Sequence, residues 1–209
     1  GSPANSDAAN VSLTAVADAM VDQVNPADNF LFNQELEVRS DATGDALAVP
    51  PEPVVGQNGR MLVRFNLPTD ASQYPLERAT LKLYSTSGEI GRTLEAVPLA
   101  GTWKESTVTW GNQPAVTGAA SRAFSKELGY VTWDVTDQIE QMLPPLGGGQ
   151  PGLPNHGFLI RDAHESDSEF PGSQEFASRE LPQDPPEQTL PILELIYEKD
   201  PAPAPTPPA

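Results

Sequence analysis

Apolar side chains recur at every second position through much of this chain, and that period excludes a helical fold. Between Arg60 and Leu67, Met61, Val63, Phe65 and Leu67 fall on one face, with Arg60, Arg64 and Asn66 on the other. Ala79, Leu81 and Leu83 alternate with Arg78, Thr80, Lys82 and Tyr84. Val131, Trp133 and Val135 alternate with Thr132 and Asp134, and Leu193, Leu195 and Tyr197 with Glu194 and Ile196. Such one-sided alternation marks antiparallel strands with one face in a core. Further strand candidates are Leu13–Val21, Glu35–Ser40, Thr93–Leu99, Thr107–Trp110, Gly157–Asp162 and Gln174–Ser178. About ten short strands separated by turn residues predict an all-β fold, an antiparallel two-sheet β-sandwich of the jelly-roll kind. One short helix interrupts the pattern at Thr136–Leu143, where Ile139, Met142 and Leu143 share a face, Thr136 is a candidate N-cap and Pro144-Pro145 end the run.

The chain divides into an extended N-terminal segment over 1–12, one β-sandwich domain over 13–199 and a Pro-rich tail over 200–209. The tail reads DPAPAPTPPA, a composition that favours an extended polyproline II rod. Its natural roles are a spacer or a strand that docks on a neighbour.

Composition removes whole classes of chemistry. No cysteine is present, so thiolate nucleophiles, disulfides and Cys-ligated metals are excluded. Two histidines, His156 and His164, leave little for a zinc site or a His-based triad. A formal net charge of −17 opposes nucleic acid and anionic lipid as partners. No apolar run approaches the ~20 residues that span a bilayer, so membrane insertion is not expected. There is no Gly-x-Ser-x-Gly elbow and no phosphate-binding loop, and the reading is that the protein is not an enzyme.

Three groups of residues remain as candidates. The acidic loop Asp162–Glu169 offers Asp162, Glu165, Asp167 and Glu169 to a calcium ion, a hard cation that takes six to eight oxygen ligands. Tyr74, Tyr130 and Phe170 fall at strand ends or in loops, where an aromatic face can meet a ligand such as a sugar ring. Trp103, Trp110 and Trp133 are read instead as structural, because large aromatics in strand segments are usually core.

Several motifs in fixed order carry a family resemblance. Ala17-Asp18-Ala19-Met20-Val21 precedes Asn25-Pro26-Ala27-Asp28-Asn29-Phe30. The segment from Trp103-Lys104-Glu105-Ser106-Thr107 to Trp110-Gly111-Asn112-Gln113-Pro114 follows later. Asn155-His156-Gly157-Phe158-Leu159-Ile160, Phe176-Ala177-Ser178-Arg179-Glu180 and Leu193-Glu194-Leu195-Ile196-Tyr197 complete the series. Together they resemble the DNRLRE domain, related to carbohydrate-binding module family 96, from about Leu13 to Glu198. The resemblance implies a jelly-roll sandwich of prokaryotic secreted and surface proteins, placed outside the cell, whose members are non-catalytic and in part bind acidic polysaccharides. It also implies a recurrent structural role for Asp18, Arg179 and Glu180, with the arginine clamping a carboxylate at a strand end. The sequence departs from the family pattern where Asn29-Phe30-Leu31 replaces the usual Asn-Tyr-Gly, and its acidity runs against a polyanion ligand.

Two functions follow. The first is a structural or adhesive surface module, self-associating through strand edges and tails into a fibre. The alternative is a carbohydrate-binding module tethered to a secreted enzyme or cell wall, with a cell-surface polymer as partner.

Overall fold

The computed structural model describes residues 10–45, 47–70, 72–182 and 189–198. The expected tail over 200–209, and residues 1–9 of the expected N-terminal segment, lie outside the described residues. The first strands are β1 (Val11–Thr14), β2 (Ala17–Asp22), β3 (Glu35–Ser40), β4 (Ala42–Thr43), β5 (Val55–Gly56) and β6 (Gly59–Arg64). Then come β7 (Leu76–Gly88), β8 (Thr93–Pro98), β9 (Ser121–Phe124), β10 (Gly129–Asp134) and the helix α1 (Thr136–Met142). The chain continues with β11 (Phe158–Asp162), β12 (Gly172–Ala177) and β13 (Ile192–Tyr197). The protein is all-β with one short helix, and its strand pairings are antiparallel.

Hydrogen bonds join eleven strands into one sheet that curls, and not into the two separate sheets expected. The path runs β1-β13-β7-β12-β3-β6-β11-β8-β9, with β10 on β7 and β2 on β6, while β4 and β5 form a separate pair. The reason lies in β7. Its 13 residues pair with β13 along Leu76–Lys82 and with β12 along Ser85–Gly88, so one strand serves two partners on one edge while β10 takes the other. The register slips between Glu175 and Phe176 and between Ile196 and Tyr197, irregularities of the kind that bend a sheet. At the far end of the path the Ser121 hydroxyl donates to the Asp134 carbonyl, which draws β9 beside β10 and completes the curl.

The main core lies inside the curl. It takes Met61, Val63 and Phe65, then Ala79, Leu81 and Leu83, then Val131, Trp133 and Val135, and finally Leu193, Leu195 and Tyr197. These are the alternating positions read from the sequence. Ile139, Met142 and Leu143 add one face of α1. The helix is capped differently from expectation: Val135 stands at the N-cap without a side-chain cap bond. The Thr136 hydroxyl instead donates to Asp134 and accepts from the Ala79 amide, fastening the helix start to β7.

A second, smaller core sits on the outside of the sheet. Ala17, Ala19 and Val21 of β2, Leu62 of β6 and Leu159 of β11 pack under Leu99, Trp103 and Val108. Strands of this region are buried on both faces, which explains why β2 and β8 read as nearly continuous buried runs. The covering segment contains no strand at Thr107–Trp110, contrary to expectation. The Thr107 and Val108 amides both donate to the Lys104 carbonyl and wind the chain into a turn, and Asn112 bonds Thr109 and Thr107 to tighten the next one.

Candidate functional site

The turn at Lys104–Val108 is where the chain assembles its most unusual polar cluster. The Asn29 side chain donates to the Glu105 carbonyl at 2.9 Å and to the Val108 carbonyl at 2.7 Å. That clamp holds the turn over β2 and aims the Glu105 carboxylate at the strand, where Glu105 Oε1 accepts the Asp18 amide at 2.9 Å. From another direction comes the chain leaving β12. The Ser178 amide donates to the Gln34 carbonyl, and the Arg179 amide donates to Asp18 Oδ2 at 2.8 Å. The Glu180 carboxylate bonds the Ser178 hydroxyl and the Arg179 guanidinium, each at 2.9 Å.

Asp18, Glu105 and Glu180 therefore present carboxylate oxygens within 4.8 Å of one another, and no other such triad of metal-ligating residues occurs among the described residues. Asp18 is only 3% exposed, and its Oδ1 has no hydrogen-bond partner. Burial, and then the nearby Glu180 and Glu105 carboxylates, push the Asp18 carboxyl up to about 8, against the lowering effect of the Arg179 amide. Arg179 also donates to the Val16 carbonyl, and its Nε lies 3.9 Å from Glu105. The residues the family resemblance singled out, Asp18, Arg179 and Glu180, thus meet at one place. Arg179 spreads its donors over several acceptors and makes no two-pronged clamp. Glu105 and Asn29 were missed as site residues. Both lie in motifs that carry the family resemblance, but their contacts are made across distant segments, so nothing local gives either a site role.

Next to this cluster opens a groove of about 800 Å³ lined by Arg64, Trp103, Lys104, Glu105, Thr107 and Asn112 among others. The Arg64 guanidinium lies 5.7 Å from the centre of the Trp103 ring, and its side chain makes no hydrogen bond or ion pair among the described residues. Lys104 is exposed and likewise unpaired. Trp103 itself is buried and donates its indole N–H to the His156 carbonyl at 2.8 Å, so it forms the wall and floor of the groove and offers no open stacking face. Gly157 follows at φ +85°, with Val63 O only 2.2 Å from where a Cβ would stand, so glycine is required for this close crossing over β6.

The other sequence candidates are dispersed. Trp133 is fully buried and donates to the Leu94 carbonyl, and Trp110 is half-buried under the Arg60 guanidinium at 4.5 Å. Tyr130 packs edge-on against Tyr84 and donates to the Leu190 carbonyl at 3.0 Å. Tyr74 lines a hollow of about 360 Å³ with Tyr197 and Pro144-Pro145. Phe170 is exposed beside His164.

The acidic loop does not assemble the calcium site expected of it. Asp162 is consumed by Arg92 at 2.6 Å, and Glu165 is held by two nitrogens of Arg60 at 2.6 and 2.7 Å. Asp167 accepts the Glu169 amide in a local turn. Asp162, Glu165 and Asp167 are thus spent on arginines and backbone, and with Glu169 they form no group of converging carboxylates.

No helix among the described residues is long and apolar enough to cross a membrane. No curated protein matches the chain. The model of carbohydrate-binding module family 96 matches residues 9–190, which takes in the Asp18 cluster, the groove, the second core and the main core apart from its β13 residues. The chain belongs to carbohydrate-binding module family 96.

Proposed function

We propose that the protein is a non-catalytic, extracellular carbohydrate-binding module that seats a glycan in the groove beside Trp103. The observation that carries this reading is the family match over residues 9–190. It favours the carbohydrate-binding alternative over the self-assembling fibre, for which neither the fold nor the family match supplies support. The volume of the groove lies within the range of small-ligand sites. Its lining supplies what sugar hydroxyls need: two cationic side chains, Arg64 and Lys104, without a hydrogen-bond or ion-pair partner among the described residues, with the amide of Asn112 and the hydroxyl of Thr107.

Affinity electrophoresis of the full chain through neutral and uronate-containing polysaccharides tests it. At least one glycan is expected to retard the protein, with binding weakened about tenfold, or about 1.4 kcal/mol, by Arg64→Ala combined with Lys104→Ala. No retardation across the panel would overturn the carbohydrate reading. Retardation unchanged in the double variant, or in Lys104→Ala alone if the double variant does not fold, would overturn the groove.

A further inference from the structure

Three carboxylates and one guanidinium meet where β2, the Lys104–Val108 turn and the end of β12 come together, and their charges do not cancel. Asp18, Glu105 and Glu180 carry three negative charges when ionised, and Arg179 supplies one positive charge. A divalent cation would neutralise the remainder. Buried polar oxygens are almost always partnered, yet Asp18 Oδ1 is buried and has none. Glu105 Oε2 also accepts no hydrogen bond among the described residues, since Oε1 takes both the Asp18 amide and the approach of Arg179.

The spacing suits one ion. Oxygens bound to a single calcium at about 2.4 Å stand at most about 4.8 Å apart, and the three carboxylate oxygens here lie within 4.8 Å of one another. All the side chains are hard oxygen donors, the set calcium takes and softer metals do not prefer. The backbone is fixed from three sides by Asn29, by the Asp18 and Arg179 amides and by the Ser178–Gln34 bond, so the donors are held before any ion arrives.

We propose that Asp18, Glu105 and Glu180 bind a calcium-class divalent cation that locks the Lys104–Val108 turn and the end of β12 onto β2. The ion takes Asp18 Oδ1 together with Glu105 and Glu180, and water completes its shell. Because Glu105 belongs both to this cluster and to the rim of the groove, the ion also fixes that rim. The site stands on its own geometry and does not depend on which glycan, if any, the groove accepts.

Isothermal titration of chelator-stripped full chain with calcium chloride, paired with thermal unfolding, decides the matter. Binding of one ion per chain and a rise in Tm are expected. Glu180→Gln, Glu105→Gln and Asp18→Asn should each weaken binding by about tenfold or more and remove most of the rise. In a chain with 29 acidic residues, weak binding spread over the surface is the competing outcome. A titration without a saturable site, or a Tm rise that persists in all three variants, would overturn the proposal. Terbium luminescence excited through tryptophan gives a readout on the unaltered protein: a saturable signal displaced by calcium supports the site, and a signal that calcium does not displace counts against it.

Discussion

Asp18 and Asp162 are buried almost equally, at 3% and 1% exposure, and they lie on β2 and β11, the strands that flank β6. Their surroundings are opposite. Asp162 faces Arg92 at 2.6 Å and also accepts the His164 amide at 2.8 Å, so both of its oxygens are satisfied. Asp18 faces two more carboxylates, keeps one oxygen without a partner and is pushed up to about 8. The two sites share their burial and differ in their neighbours, an arginine beside Asp162 and two further carboxylates beside Asp18. One site is a closed ion pair, and the other is an unbalanced cluster that stores a demand for positive charge.

Replacing each aspartate by asparagine sharpens this contrast. Asp162→Asn leaves the Arg92 guanidinium in a mostly buried position without its main anion, and should cost about 3–5 kcal/mol in chemical denaturation. A loss under about 1 kcal/mol would mean that the pair is no better than a surface contact. In calcium-free buffer at neutral pH, Asp18→Asn should change stability by about 1 kcal/mol or less, because Asp18 already carries its proton there. A loss as large as that of Asp162→Asn would erase the distinction between the two sites.

The pH dependence of the calcium-free protein separates them further. The Asp18 carboxyl titrates near 3.8 when unfolded and near 8 when folded, so between those values the folded state binds the extra proton. Its contribution to stability is therefore most favourable below about pH 4, declines as pH rises, and reaches its full penalty above about pH 8. Measured against Asp18→Asn, the wild-type chain should lose stability across that window, with Glu105, Glu180 and Arg179 as the charges that face the group. A flat difference between the two proteins would contradict the raised value. The smallest effect is expected at the partly exposed Lys82–Glu194 pair on neighbouring strands, where Glu194→Gln should cost about 0.5 kcal/mol or less. A larger loss there would show that exposed pairs count for more in this sheet than the contrast between Asp18 and Asp162 allows.

Much of the fold was legible from period-two patterning, and the failures have physical causes. Met61, Val63 and Phe65, or Leu81 and Leu83, have one buried and one open face, so their alternation is visible in the sequence. Strand β9 was missed because its short Ser121–Phe124 stretch buries no residue fully. The expected strand Leu13–Val21 is broken at Ala15-Val16, where β1 leaves for β13 and β2 for β6, a division of partners that a single sequence does not encode locally. The second core went unseen because Trp103 and Val108 reach it from a turn rather than from a periodic element. At the site, the family motifs supplied Asp18, Arg179 and Glu180, whereas Glu105 joins Asp18 across 87 positions of chain from a turn that Asn29 clamps over β2.

The pairing of β1 with β13 sets how the molecule carries load. Val11 stands opposite Leu195 and Thr14 opposite Ile192, so the first described strand begins beside the place where the last one ends. Tension applied between those two points acts across the ladder and opens its hydrogen bonds one after another from a single end. A module pulled in this way yields as a zipper and spares the shear of many bonds at once. β2 follows β1 after two residues, so the tension reaches β2 and the Asp18 cluster only once β1 has detached.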